Sequence, residues 1–257
     1  MITLYQFPRI GNMPNFSPFC MKLESYLKAM NINYKVSETF DPRKSPTGKV
    51  PYIEKDGQLQ ADSKVIIEQF ESFAEKPMQA KLTAQEKAIS HSFIRLMDEH
   101  LYWAILYSRW IDQKGAHIWA EGLQNKMGMP KIAFKLILSG IKKNIEKSIY
   151  SQGIGRHDEH TIYKLAEEDI KALASFLGGH DYCFGDEPTV MDHTLYAYVG
   201  SMIEVNWDYP LKDLTLQCQN LVDHYHRMMK EFFPEYESND KKEYIINTQT
   251  EVISDKE

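Results

Sequence analysis

Strand-like sequence runs out early in this chain. Short runs rich in β-branched and aromatic residues occur at 2–7, 33–36, 49–54 and 58–60, and none occurs beyond Thr83. The rest of the chain instead shows apolar spacing of three and four, residue after residue, which is the period of helices. A chain of 257 residues patterned this way folds as an α/β part and then an all-helical part, in one large domain or two small ones.

The first strand leads, through a turn-rich stretch at 8–16, into Ser17-Pro18-Phe19-Cys20. After Cys20, the positions Leu23, Leu27 and Met30 keep one helical face apolar. Ser17 takes the N-cap and Pro18 the first helical position, where a missing N–H costs nothing. The unpaired N–H groups and positive dipole end of that helix then face whatever sits beside Ser17. That is a place to hold an anion, and a thiolate is one. The stretch 8–16 is long for a strand-to-helix loop, usually about 2–6 residues. Its Arg9, Asn12 and Asn15 are placed to reach back over Ser17, or simply to cover the surface.

Residues 38–48 are polar, with at most one helical turn. A proline, Pro51, opens the next strand, and Asp56-Gly57 signals a hairpin. Asp62-Ser63 then starts a helix whose apolar face is Ile66, Ile67, Phe70, Phe73 and Ala74. A carboxylate and a hydroxyl at that point are ordinary capping chemistry. After a polar linker, the helix 84–112 carries Phe93, Leu96, His100, Trp103, Tyr107 and Trp110 in one stripe, with His100 expected as a hydrogen-bonded core histidine. Breaks at 127–130 and 151–156 divide the later helical segments. Thr189 with Asp192 is a capping-box variant at the head of another helix, which makes Asp192 structural, and a last helix is expected at 213–233.

Composition narrows the function classes. A formal charge of −6 and a pI near 5.9 argue against general nucleic-acid binding. The cysteines, Cys20, Cys183 and Cys218, are odd in number, widely separated and form no CxxC pair, which suits a reducing, cytoplasmic setting. The strand begins within two residues of the start, leaving no room for a signal peptide, and no run approaches the roughly 18 apolar residues of a membrane span. His157 with His160, and His224 with His226, lack a matching carboxylate or cysteine cluster in sequence, so no metal site is expected.

Ser17-Pro18-Phe19-Cys20 resembles the Cys-Pro-aromatic-Cys turn of glutaredoxin-like proteins with serine in the first position, as in glutathione S-transferases. The helical half narrows the resemblance. Asp98-Glu99-His100-Leu101-Tyr102-Trp103 with Tyr107-x-x-Trp110, Gln152-Gly153-Ile154-Gly155-Arg156-His157 and Phe184-Gly185-Asp186-Glu187-Pro188-Thr189 look like the failed axon connections (Fax) and metaxin-like branch of that superfamily, across about 2–233. The resemblance implies an α/β plus all-α fold. A thioredoxin-like domain (1–75) precedes a linker (76–84), an all-helical glutathione-transferase C-terminal domain (85–233) and a polar tail (234–257).

It also implies glutathione as cosubstrate, with a small hydrophobic electrophile as its partner. Ser17 would donate to the glutathione thiol and favour its thiolate, with Tyr5 the competing donor. Bringing a thiol from about 8.5 to about 6.5 takes roughly 2.7 kcal/mol. A hydrogen bond to a charged group supplies about 1.5–3 kcal/mol and a helix N-terminus about 0.3–1 kcal/mol, so the two suffice. Pro51 would be the cis-proline facing that helix. Lys49, Val50, Pro51, Asp62 and Ser63 would contact glutathione, Asp62 and Ser63 holding its γ-glutamyl end. Tyr102, Tyr107, Arg109 and Trp110 are candidate walls for the electrophile. Homodimers, common among transferases, are a further expectation. The short 38–48 segment and the long 8–16 loop depart from better-understood transferases. A non-catalytic binding protein that kept the fold is the alternative reading, and thiol redox chemistry at Cys20 a third, set back by the inward position of Cys20.

Overall fold

The computed structural model of the protein describes residues 1–9 and 13–236, so Asn12 and the tail from 237 onward lie outside the described residues. The β-branched and aromatic runs form β1 (Ile2–Gln6), β2 (Tyr34–Glu38), β3 (Tyr52–Lys55) and β4 (Gln58–Ala61), in one sheet of order β2-β1-β3-β4. Leu4 of β1 sits beside Val36 in the parallel pairing with β2 and beside Ile53 in the antiparallel pairing with β3. Asp56 and Gly57 close the β3–β4 hairpin, both at positive φ as a type I′ turn demands. The Val50–Pro51 bond is cis, as the sequence led us to expect. Beyond Glu38, the end of β2, the segment to residue 48 contributes one 3₁₀ turn, Pro42–Lys44, capped by the Asp41 carboxylate.

Beside the sheet lie α1 (Pro18–Ala29) and α2 (Ser63–Phe73), burying Leu23, Leu27, Ile66 and Ile67 with Leu4 and Ile53. Phe73, expected on the inward face, is instead 78% exposed, because α2 ends there and its last turn overruns the core. The stripe at 84–112 becomes α3 (Ala84–Leu96) and α4 (Tyr102–Trp110), joined by a π-helical turn at Met97–Leu101. Next come α5 (Gln113–Met127), α6 (Lys131–Gln152), α7 (Glu159–Leu177) and α8 (Val190–Ile203). The last expected helix is two, α9 (Pro210–Gln217) and α10 (Gln219–Phe232), because Cys218 between them leaves helical geometry at ψ 77°.

Every residue of α8 is buried, which is what a helix without a polar face requires. It packs against α1, α3 and α10, so the helical half and the sheet half share one core. Gly200 makes the closest approach possible, since a Cβ there would stand 2.6 Å from the Tyr225 ring of α10. At the head of α8, Asp192 Oδ2 accepts from the Thr189 N–H and hydroxyl, both at 2.8 Å, while Oδ1 accepts from the Cys183 N–H. Thr189→Ala should therefore cost about 0.5–2 kcal/mol, read as a lower urea midpoint at unchanged slope. An unmoved midpoint would mean that Asp192 starts the helix alone.

Candidate functional site

Ser17 stands at the N-cap of α1 with extended backbone (φ −93°, ψ 122°), and its side chain makes no capping bond. Its carbonyl takes the N–H groups of Cys20 and Met21. Its own N–H is held by Asn15 Oδ1 at 3.0 Å, and Asn15 is fixed in turn by donating to the Phe7 carbonyl at 2.6 Å. The loop thus reaches back through Asn15. Arg9 goes elsewhere, to the buried Glu24 at 2.8 Å and to Tyr236. From the other side, the buried Arg109 donates to the Phe16 carbonyl at 2.7 Å and to the Ser201 carbonyl at 3.0 Å, bracing the backbone just before Ser17. Arg109 has no carboxylate within ion-pair reach among the described residues, and burial pulls its pKa below the ordinary arginine value. With its hydroxyl released from capping and its backbone pinned, Ser17 can offer its proton to a ligand.

A cavity of about 560 Å³ opens in front of it, within the usual ligand-pocket range of about 300–1,000 Å³. One side is Ser17, Phe7, Pro42, Thr47, Gly48, Lys49, Val50, Pro51, Asp62 and Ser63. The other is Phe19, Arg95, Asp98, Glu99, Tyr102 and Trp103. The first side gathers Ser17, Lys49, Val50, Pro51, Asp62 and Ser63 from separate elements. Tyr5 does not line this cavity. Its hydroxyl donates to Glu54 Oε2 at 2.8 Å and its ring stacks on Tyr52 at 4.5 Å. That bond commits the phenol proton to Glu54 and, with burial, raises the phenol pKa, whereas the Ser17 hydroxyl faces the cavity. Tyr107 and Trp110 also lie off the cavity, in edge contact with Tyr163 and Trp119 respectively.

Asp62 is strained. Its φ of +75° is outside the regions that non-glycine residues favour, which costs about 1–3 kcal/mol. Its Oδ1 caps α2 by accepting from the N–H groups of Lys64 (2.9 Å) and Val65 (3.3 Å), and Oδ2 makes no hydrogen bond among the described residues. The cap fixes a carboxylate oxygen at the cavity edge, where it can take a ligand's ammonium.

The second side comes from the π turn. Asp98 faces the cavity from within that turn, and its added residue rotates the helix beyond it so that Tyr102 and Trp103 line the cavity while Tyr107 and Trp110 do not. Asp98 is buried and binds Lys22 of α1 through both oxygens, at 2.8 and 2.7 Å. It also accepts from Tyr198 at 3.1 Å, with Arg95 at 3.5 Å. Burial pulls Lys22 below its ordinary pKa and Asp98 opposes that shift. Tyr102 was among the expected walls, but periodicity hid Trp103, because a stripe at helical spacing reads as core throughout. His100, in the same turn, meets Asp169 at 2.5 Å, the hydrogen-bonded role expected of it, though it is half-buried rather than interior.

Cys20 is wholly buried beneath Ser17. Burial pushes its thiol up to about 12, against contacts from the Phe7 backbone and the Ser17 hydroxyl that pull it down. It stays a thiol, which disfavours redox chemistry there. The fold also joins Cys183, Asp192 and His224, ligand types that the sequence left apart. Asp192 is already filled by two backbone N–H groups, the Thr189 hydroxyl and His224 Nε2, so the cluster is the cap of α8.

Comparisons with known proteins agree with this fold. The family model for the glutathione S-transferase N-terminal domain matches residues 18–115, and that for the glutathione S-transferase C-terminal domain matches residues 166–228. The chain is 32% identical over 247 residues to failed axon connections of Drosophila melanogaster, covering 92% of this chain and 59% of that one, so it spans less than two thirds of that relative's length. It is 30% identical over 239 residues to isoprene-epoxide–glutathione S-transferase of Rhodococcus sp. (strain AD45), covering 90% of this chain and 99% of the relative. The crystal structure of a glutathione S-transferase from Methylobacillus flagellatus with glutathione bound matches with a TM-score of 0.56 at 17% identity, over 92% of this chain and 98% of that one.

Proposed function

We infer, for a chain that belongs to the glutathione S-transferase family in its failed axon connections and metaxin-like branch, that the 560 Å³ cavity binds glutathione and passes its thiolate to an electrophile. One observation carries this reading. A single cavity joins a hydroxyl released from capping at a helix N-terminus, an unused carboxylate oxygen on a strained cap, and a facing aromatic wall. The thiol sits at Ser17, where the hydroxyl donates to sulfur and the N-terminus of α1 adds positive potential. Asp62 takes the α-ammonium, the backbone of Val50 pairs with the peptide, and the cations Lys49 and Arg95 suit its carboxylates. The electrophile lies against Phe19, Tyr102 and Trp103. The sulfur lone pair attacks carbon, the bond from that carbon to its leaving atom breaks, and the departing electron pair takes a proton. An epoxide or another small activated carbon is the fitting class, the first being what the Rhodococcus relative's name states for that protein. No helix among the described residues is long and apolar enough to cross a membrane.

Calorimetric titration with glutathione tests the binding half. Asp62→Asn should fold as stably as the parent, since asparagine both caps and tolerates positive φ. It should nonetheless weaken glutathione about 10–100-fold, the loss of one charge-assisted bond of about 1.5–3 kcal/mol. Equal affinities for the two would leave Asp62 a cap alone.

A further inference from the structure

The outer side of α6 fits none of this chemistry. Over its first three turns the helix carries apolar residues well beyond its inward side: Ile132, Phe134, Leu136, Ile137, Leu138 and Ile141. Phe134 is buried and Leu138 packs on the core, which accounts for one side. Ile132 and Leu136, one turn apart, are 81% and 73% exposed, and Ile137 and Ile141 form a second exposed row beside them. A surface helix ordinarily turns polar residues outward, and exposed apolar residues in contiguous rows mark an interaction face. Charge identifies the occupant. Between 126 and 147 the chain carries six lysines and a single acidic residue, Glu146, although its overall formal charge is −6. Lys131 and Lys135 flank the apolar rows, and Lys143 and Lys147 continue the outer face, all four exposed.

We propose that this face of α6 docks flat on an anionic lipid surface. An apolar stripe enters the headgroup boundary while the lysines beside it and further along the helix keep their stems against it and their ammonium groups on lipid phosphates. A helix of 22 residues, about 33 Å long, lies in that plane without spanning the bilayer. The acidic remainder of the chain is repelled by the same surface, which orients the molecule with α6 down.

The test is co-sedimentation of the full chain with phosphatidylcholine vesicles, with and without phosphatidylserine, over a range of salt. The protein should pellet with the phosphatidylserine vesicles only, and raised salt should release it. Ile132→Ser with Leu136→Ser, and separately Lys131→Gln with Lys135→Gln, should each lower binding at least about tenfold with the melting temperature unchanged. Leu136→Trp should shift its emission to the blue on binding. Failure to pellet, or pelleting that survives both pairs of substitutions, overturns the proposal. So does a dimer in sedimentation equilibrium that Ile132→Ser with Leu136→Ser dissolves, since the face would then belong to a second copy.

Discussion

Lys22→Met should destabilise the protein by about 3–5 kcal/mol, because it takes from the buried Asp98 carboxylate the ammonium that binds both its oxygens and leaves it the Tyr198 hydroxyl and Arg95 at 3.5 Å. For a chain of this size that is a fall in Tm of roughly 6–20 °C, far more than loss of an exposed ion pair would give. Both partners are almost fully buried, at 2% and 5% side-chain exposure, and Asp98 meets the ammonium through both oxygens. Asp98→Ala should cost a similar amount for the opposite reason, leaving a buried ammonium over the Phe19 ring, 5.0 Å away, without its paired carboxylate. The double change Lys22→Met with Asp98→Leu should recover most of the loss, since a packed apolar pair replaces a desolvated ionic one. Thermal unfolding of the parent and the three variants closes the double-mutant cycle. A double variant as unstable as the sum of the singles would mean that the two residues act separately. The pair also ties the helix that begins at Ser17 to the turn that supplies the aromatic wall. The singles should therefore lose conjugation activity even at temperatures where they remain folded.

How much of this site the sequence announced depends on how local each signal is. Ser17-Pro18, Pro51 and Asp62-Ser63 each sit within a residue or two of the start of a helix or strand, where capping and proline geometry leave a mark on residue type. The side of the cavity that they build was legible for that reason. Its other side depends on an extra residue in one turn at Met97–Leu101, which no residue type announces. Of the candidate walls, Tyr102 lines the cavity, whereas Tyr107 and Trp110 lie off it and Trp103, which the stripe placed in the core, joins Tyr102 there. Lys22 was hidden differently. It lies on the helix that carries Leu23 and Leu27, and a lysine beside an apolar face reads as solvent-facing until Asp98, 76 residues on, is brought against it. The union of Cys183, Asp192 and His224 was invisible for the same reason, while the Thr189–Asp192 half of that network, three residues apart, was plain.

Ser17→Ala should leave the fold intact and slow conjugation about 10–100-fold, the kinetic equivalent of one charge-assisted hydrogen bond of about 1.5–3 kcal/mol. The fold should survive because the Ser17 hydroxyl makes no capping bond, so the stability loss falls below the roughly 1 kcal/mol of a typical cap. The pKa of bound glutathione should climb back toward the ordinary thiol value of about 8.5, measured as thiolate absorbance against pH. Tyr5→Phe is the control. It removes a bond to Glu54 outside the cavity and should leave both the thiol titration and turnover almost unchanged. Ser17→Cys restores the Cys-Pro-Phe-Cys turn, yet Cys20 lies buried with its thiol pushed up to about 12, so it cannot act readily as the resolving partner. The variant should form a mixed disulfide with oxidised glutathione that a second glutathione, rather than Cys20, resolves. Rapid internal disulfide formation would show that Cys20 is more accessible than its burial implies. Parent protein that binds glutathione without lowering its thiol pKa would remove the transferase reading and leave a glutathione-binding protein on a transferase fold. Ser17 separates the two, because in the proposed reading its hydroxyl favours the thiolate over the thiol without holding the rest of the tripeptide.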